Sequence, residues 1–97
     1  MKLSFPIENF LERATGDYRL LPSHLSLFMA IFYYSPANAK AEFRVCRRKL
    51  MQFSRIRSLS TYHKCIAELV TYGYIDYKPS YDPIRASTVS LIQVDSG

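Results

Sequence analysis

Hydrophobic residues recur at three- and four-residue steps in the segment 61–75, a spacing that predicts one face of a helix. This apolar face consists of Tyr62, Cys65, Ile66, Leu69 and Val70. The opposite face consists of small and polar residues, namely Ser60, His63, Lys64, Ala67 and Glu68. Gly73 follows the last periodic positions, where helices often end in the left-handed conformation. The alternation in residues 74–77 then predicts that a strand follows this helix.

Two further helices are predicted in the first third of the chain. Residues 24–34 are apolar over most of a helical circumference, which is typical of a central helix, and Ser23 is the predicted N-cap. His24 has no second ligand or nucleophile nearby in the sequence, so we expect a surface residue. Residues 5–14, with Pro6 in the first turn, form a short amphipathic pattern. Its stripe either docks on the domain's own core or makes a dimer contact.

The middle of the chain predicts a short strand at 42–45 and a helix at 47–53. Cys46 stands at the start of this helix. A turn at 54–57 follows, in which Ile56 is expected to insert between two helices, and Ser58 is the predicted cap of the next helix. Two strands, 74–78 and 87–94, would form a closing hairpin. Their connection, 79–86, is longer than the usual hairpin loop.

This order of elements predicts an α+β fold of the winged helix-turn-helix type. A three-helix core would carry a C-terminal β-hairpin wing, a short strand before the second core helix and one extra N-terminal helix. We expect a single domain over residues 1–97, with an N-terminal extension at 1–20, the helical core at 23–78 and the wing at 74–94.

Composition excludes several classes of protein. No apolar run approaches the roughly 18 residues of a membrane span, and the N-terminus does not have the pattern of a secretory signal. Two distant cysteines without a CxxC or Cys/His cluster predict a reducing cytoplasm and no metal site. No paired carboxylates, nucleophile–base pair or glycine-rich phosphate loop is present. We therefore predict neither an enzyme nor a cofactor.

The positive charge is concentrated in one part of the sequence. The chain has a formal net charge of +5. Eight basic residues stand between Lys40 and Lys64, where Glu42 is the sole acidic residue. Such a concentration beside an exposed helix is the footprint expected for a polyanion partner. The alternative is a solvated charged face.

From Leu50 onward the chain resembles the winged helix-turn-helix superfamily. Gluconate-repressor-like regulators carry the pattern Thr-Val-Arg-x-Ala-Leu-x-x-Leu, three residues, Gly, and two apolar residues. Here the corresponding run extends from Thr61 to Leu69, followed by Gly73 and two apolar residues, with Tyr62 and His63 replacing a small branched residue and an arginine. The preceding turn is about one residue longer. Residues 21–32 and 61–65 also resemble small single-domain proteins of mobile elements, mostly described as regulators.

The predicted function is sequence-specific binding of double-stranded DNA, most simply in transcriptional regulation. The residues expected to face base edges or adjacent phosphates are Ser60, Thr61, His63 and Lys64. Those expected to hold phosphates are Arg47, Arg48, Lys49, Arg55 and Arg57, with Lys78 and Arg85 in the wing. Arg47 and Arg48 could instead pair with Glu42 or Asp76, and His63 could be an ordinary exposed residue.

The same interpretation also makes predictions about partners other than duplex DNA. A homodimer is expected because binding by one half-site module is usually weak. We expect no membrane and no small-molecule effector. The alternative is a replication or excision accessory, or a winged helix that docks protein.

Overall fold

The computed structural model describes residues 5–36, 42–78 and 87–92, and these residues form four helices and a three-stranded sheet. The helices are α1 (Phe5–Thr15), α2 (Pro22–Tyr33), α3 (Arg47–Ser54) and α4 (Leu59–Thr71). The strands are β1 (Phe43–Val45), β2 (Ile75–Lys78) and β3 (Ser87–Leu91). The predicted α+β class and order of elements are confirmed. The predicted connection 79–86, with Arg85, and the end of the last predicted strand lie outside the described residues.

The sheet is antiparallel, and β3 occupies its centre in the order β1-β3-β2. Phe43 pairs with Val89 on one side, and Ile75 pairs with Leu91 on the other. The predicted pairing of the short strand with the closing hairpin is therefore confirmed. Val89, on the strand that has a neighbour on each side, is only 1% exposed and belongs to the buried hydrophobic cluster. β3 ends at Leu91, although the Ile92 N–H still donates to the Tyr74 carbonyl at 3.0 Å.

The hydrophobic core lies between α2, α4 and the sheet, and α1 contributes to it from one side. The Phe10 ring stacks on Phe28 with centroids 3.7 Å apart and meets the edge of Tyr74 at 5.4 Å. Ile7, from the same stripe of α1, is 4% exposed. Each fully buried aliphatic side chain contributes about 1.5–3 kcal/mol. The apolar stripe of α1 therefore docks on the domain's own core, which was one of the two alternatives predicted from the sequence.

Arg13, near the end of α1, fixes the connection between α4 and β2. Its guanidinium donates to the carbonyl of Gly73 at 3.0 Å and to that of Ile92 at 3.3 Å, and it lies 4.2 Å over the Tyr74 ring. Gly73 has φ 83°, so the predicted left-handed end of the helix is confirmed. A glycine avoids the steric cost that a side chain meets in this conformation.

The predicted start of α2 is wrong, and so is the predicted environment of His24. The helix begins at Pro22, with Leu21 in extended conformation as its N-cap, because proline is favoured in the first helical turn. Ser23 consequently lies inside the helix and does not cap it. The His24 side chain folds back so that its Nδ1 accepts the Leu21 N–H at 2.8 Å, and the residue is 0% exposed.

Among the described segments, no helix combines the length and the apolar character that crossing a membrane requires.

Candidate nucleic-acid interface

The two faces predicted for α4 are present in the structure. The face toward the core is buried and consists of Tyr62, Cys65, Ile66 and Leu69. The opposite side chains that are exposed are Ser60, Thr61, His63, Lys64 and Ala67. The exposed set contains hydroxyl, imidazole, ammonium and methyl groups, and it contains no carboxylate. This ridge can therefore donate hydrogen bonds to a polyanion without introducing like-charge repulsion.

The beginning of α4 is held by a side-chain cap and by an apolar anchor. The Ser58 Oγ accepts the Thr61 N–H at 3.3 Å and lies 2.9 Å from the Ser60 Oγ. Ile56, in the preceding turn, is 7% exposed. Both predictions, the cap and the buried turn residue, are confirmed. Substituting such a cap by alanine typically costs about 1 kcal/mol.

Glu68 does not belong to the exposed ridge, contrary to the sequence expectation. Its Oε1 lies 3.0 Å from the Nε2 of His24, and its Oε2 accepts from the Tyr72 hydroxyl at 3.4 Å. Because the His24 Nδ1 accepts the Leu21 N–H, a neutral imidazole must carry its proton on Nε2 and donate to Glu68. A buried histidine therefore connects the start of α2 to the middle of α4. The sequence signal was the position of His24, three residues after Leu21, where a side chain can reach back to the N-cap N–H.

Three exposed cations occupy the first turn of α3, where a positively charged side chain lowers the stability of a helix. Arg47, Arg48 and Lys49 follow the N-cap Cys46 directly, and this turn has no acidic residue. A helix N-terminus carries partial positive charge, and a well-placed charge near a terminus typically changes stability by about 0.3–1 kcal/mol. Their placement is therefore unfavourable for the isolated helix and favourable for an anionic partner.

Arg55 ends α3 in the left-handed conformation, with φ 65°. Residues other than glycine pay roughly 1–2 kcal/mol for this conformation. Arg57, two residues further along the turn, is also exposed. Non-glycine residues adopt this conformation uncommonly, so α3 ends at a position where the backbone carries a local conformational cost.

The five cations of α3 and its turn take part in no ion pair within the described residues. The ion pairs of the described chain join Arg19 to Asp17 and Lys78 to Glu42, and the His24–Glu68 contact is a hydrogen bond that becomes an ion pair only if the imidazole is protonated. The alternative in which Arg47 or Arg48 pairs with Glu42 or Asp76 is therefore not observed.

Lys78 differs from these cations because its charge is partly compensated. Its Nζ lies 2.6 Å from the Glu42 Oε1, and this carboxylate raises the pKa of Lys78. The ammonium is nevertheless exposed at the end of β2, with 70% of the side chain accessible. Arg85, the other predicted wing residue, lies outside the described part of the chain.

Two polar groups next to this surface were not assigned a role from the sequence. The Cys46 thiol is exposed, and the Lys49 and Arg48 N–H groups, together with their side-chain charges, lower its pKa. The Tyr62 hydroxyl is fully buried and has no hydrogen-bond partner among the described residues. Burial, followed by Tyr77, raises the pKa of Tyr62. Tyr77 thus lies near enough to influence that ionisation, but the two hydroxyls do not meet hydrogen-bond geometry.

The described residues contain no group of three or more side chains able to hold a metal ion. Comparisons with protein-family models, curated proteins and solved structures found no match to this chain.

Proposed function

We propose that this chain is a winged helix-turn-helix domain that binds double-stranded DNA and reads its sequence with α4. Within this proposal, α2, α3 and α4 are the three-helix core, β2 and β3 are the wing, and α1 is an added N-terminal helix. The observation that carries it is the carboxylate-free exposed ridge of α4, which directly follows in sequence five exposed cations that form no ion pair with any described residue.

The ridge has the chemistry needed to read base edges. Lys64 can donate to the O6 or N7 of guanine, while Thr61 and Ser60 can serve either base pair. Ala67, one turn beyond His63, offers a methyl group for contact with thymine. Helix-turn-helix proteins contact bases with the N-terminal residues of the recognition helix, and here these are the residues that the Ser58 cap holds in place.

The cations of α3 and its turn would contact phosphates. Such contacts fix the register of the protein on the duplex, and each neutralised phosphate makes the affinity more sensitive to salt. Regulation of transcription, in the manner of the mobile-element regulators that the sequence resembles, is the role we propose. A homodimer would double the number of half-site contacts.

Binding of a labelled random duplex, measured by fluorescence anisotropy over a range of salt concentrations, tests the proposal. A triple variant with glutamine at Arg47, Arg48 and Lys49 is expected to bind all duplexes more weakly, with a slope of log affinity against log salt smaller by about 0.9 for each lost contact. A Lys64→Ala variant is expected to change the preference between sequences by about 1–3 kcal/mol while changing the slope little. No measurable duplex binding at low salt by the folded protein would contradict the proposal.

One observation favours the alternative of a protein-docking module. Tyr33 and Phe53 stack at 5.0 Å, and they are 65% and 41% exposed. Tyr34 meets the edge of both rings. Exposed aromatic clusters are enriched at protein interfaces, but this cluster carries no charge and lies outside the α4 ridge. It is therefore compatible with a protein partner in addition to DNA.

A further inference from the structure

A cavity of about 510 Å³ opens between the α3–α4 turn and the first turns of α2 and α4. Its size falls within the roughly 300–1,000 Å³ range of small-molecule sites. The residues that matter for recognition are two arginines, three hydroxyl residues and one apolar wall, namely Arg55, Arg57, Ser23, Ser58, Thr61 and Ile56.

The electrostatics of this cavity favour an anion. Neither Arg55 nor Arg57 is in an ion pair with a described residue, and no carboxylate lines the cavity. A guanidinium presents a planar fork of N–H donors that matches phosphate oxygens, and it is always charged. Arg55 adopts a left-handed conformation that favours glycine, so the backbone carries a local conformational cost at this residue.

The hydroxyl groups add donors, and the apolar wall adds room for an organic group. The Ser23 Oγ accepts from the Cys65 thiol at 3.4 Å, which leaves its own proton free to be donated. The Thr61 hydroxyl forms no hydrogen bond with another described residue and is exposed at the rim. Ile56 is 7% exposed and supplies an apolar surface. A bare phosphate would fill only part of this volume.

We propose that the cavity binds a small phosphate monoester of about nucleotide size, with the phosphoryl group held between Arg55 and Arg57. The occupant would lie beside Ser58 and Thr61, where α4 begins. If α4 enters DNA as proposed above, a bound monoester and a backbone phosphate compete for the same two arginines. Only this competition rests on the proposed function; the binding of the monoester does not. The proposal departs from the sequence expectation that no small-molecule effector binds, and that expectation stays a prediction.

Adenosine 5′-monophosphate is a suitable probe, with adenosine as the matched ligand that lacks the phosphoryl group. At constant ionic strength, we expect the monophosphate to cause saturable changes in the amide NMR resonances of residues 55–61, and adenosine to cause none. The loss of one charge-assisted hydrogen bond weakens binding by about tenfold or more, so Arg55→Gly and Arg57→Gln should each show at least this loss.

The matched control is Arg44→Gln, which removes one exposed positive charge on β1, outside the cavity and outside the proposed DNA contacts, and should change the affinity by less than about twofold. The site is overturned if the monophosphate causes no saturable change, or if Arg44→Gln weakens monophosphate binding as much as Arg57→Gln does. The far-ultraviolet circular dichroism of each variant establishes that it has folded.

A parallel titration with a labelled duplex separates this site from the proposed function. Displacement of the duplex by the monophosphate, but not by adenosine, supports both the monoester site and the DNA-binding function. Saturable monophosphate binding without any duplex binding supports the site and contradicts the DNA function. Duplex binding that depends on Arg55 and Arg57, without monophosphate binding, means that the cavity receives only backbone phosphates, and this overturns the monoester site. Simultaneous binding of both ligands contradicts the competition.

Discussion

Arg55→Gly should stabilise the fold and weaken the proposed DNA binding at the same time. Arg55 has φ 65°, a conformation that costs a residue with a side chain roughly 1–2 kcal/mol and costs glycine almost nothing. Glycine also makes the unfolded chain more flexible, which removes about 0.5–1 kcal/mol of that gain. The expected net effect lies between about zero and 1.5 kcal/mol of added stability.

In the folded protein, the same substitution removes a guanidinium without an ion-pair partner in the described chain. Loss of one charge-assisted contact to phosphate is expected to weaken duplex binding by about tenfold at low salt and to reduce the salt slope by about 0.9. Urea unfolding measures the first effect, and fluorescence anisotropy of a labelled duplex over a series of salt concentrations measures the second.

Arg19→Gln is the control, because it removes one positive charge at a site paired with Asp17 and distant in sequence from the turn. It should leave the salt slope nearly unchanged. If Arg55→Gly binds duplex with the original affinity and slope, Arg55 does not contact phosphate. If Arg55→Gly lowers the free energy of unfolding by more than about 1 kcal/mol, the left-handed conformation of Arg55 does not destabilise the parent protein.

Three further predictions concern a buried hydroxyl, a hydrogen-bonded carboxylate and the two thiols. Tyr62→Phe should raise the free energy of unfolding by about 1 kcal/mol in urea titrations, because it removes a buried hydroxyl without a described partner; a loss of similar size would show that the hydroxyl is hydrogen-bonded. The Asp17 pKa is lowered by its hydrogen bonds to Arg19 and Tyr74, so its stabilising contribution is present above pH 3.8 and lost as the pH falls below it. In Asp17→Asn the unfolding midpoint should therefore fall less between pH 6 and pH 3, and an unchanged fall would refute this. Cys46 should react with an aromatic disulfide reagent well before the buried Cys65, and Cys46→Ser should abolish the fast phase; a fast phase that survives in Cys46→Ser would contradict the assignment.

Tyr74, whose hydroxyl donates to the Asp17 Oδ2 at 2.7 Å, has the opposite pH behaviour. Burial, and then the hydrogen bond to Asp17, raises the pKa of Tyr74 from 10.0 to about 12. Its contribution to stability is fully present below pH 10 and is lost as the pH rises toward 12. In an alkaline spectrophotometric titration, Tyr74→Phe should show one fewer late-ionising phenol than the parent protein. If the late phase is identical in the two proteins, it belongs to another tyrosine.

The periodic segments were predictable from the sequence because burial imposes their spacing. The apolar face of α4, the Ser58 cap and the left-handed Gly73 each depend on residues within about one turn of one another. The pairing of β1 with β3 was also anticipated, since an isolated short strand needs a partner. These features are local, or follow from a simple requirement for burial.

The features that were missed depend on contacts between distant residues. His24 is buried because Glu68, 44 residues away, accepts its Nε2 proton, and no local pattern contains that information. Likewise, Ser26 reaches the carbonyl of Ser54 at 3.2 Å beside the cavity, which exists only when α2 meets the α3–α4 turn. The left-handed Arg55 was also missed, because the residue type argues against that conformation.

The most direct test of the central claim is the ratio of two dissociation constants. The protein would select duplexes from a random pool, and its Kd for the selected duplex would be compared with that for a scrambled duplex of equal composition, at about physiological salt. Sequence reading by α4 predicts a ratio of about a thousandfold, and a clear decrease in the ratio for the double variant His63→Ala and Lys64→Ala. A ratio near one for the folded parent protein would contradict the claim.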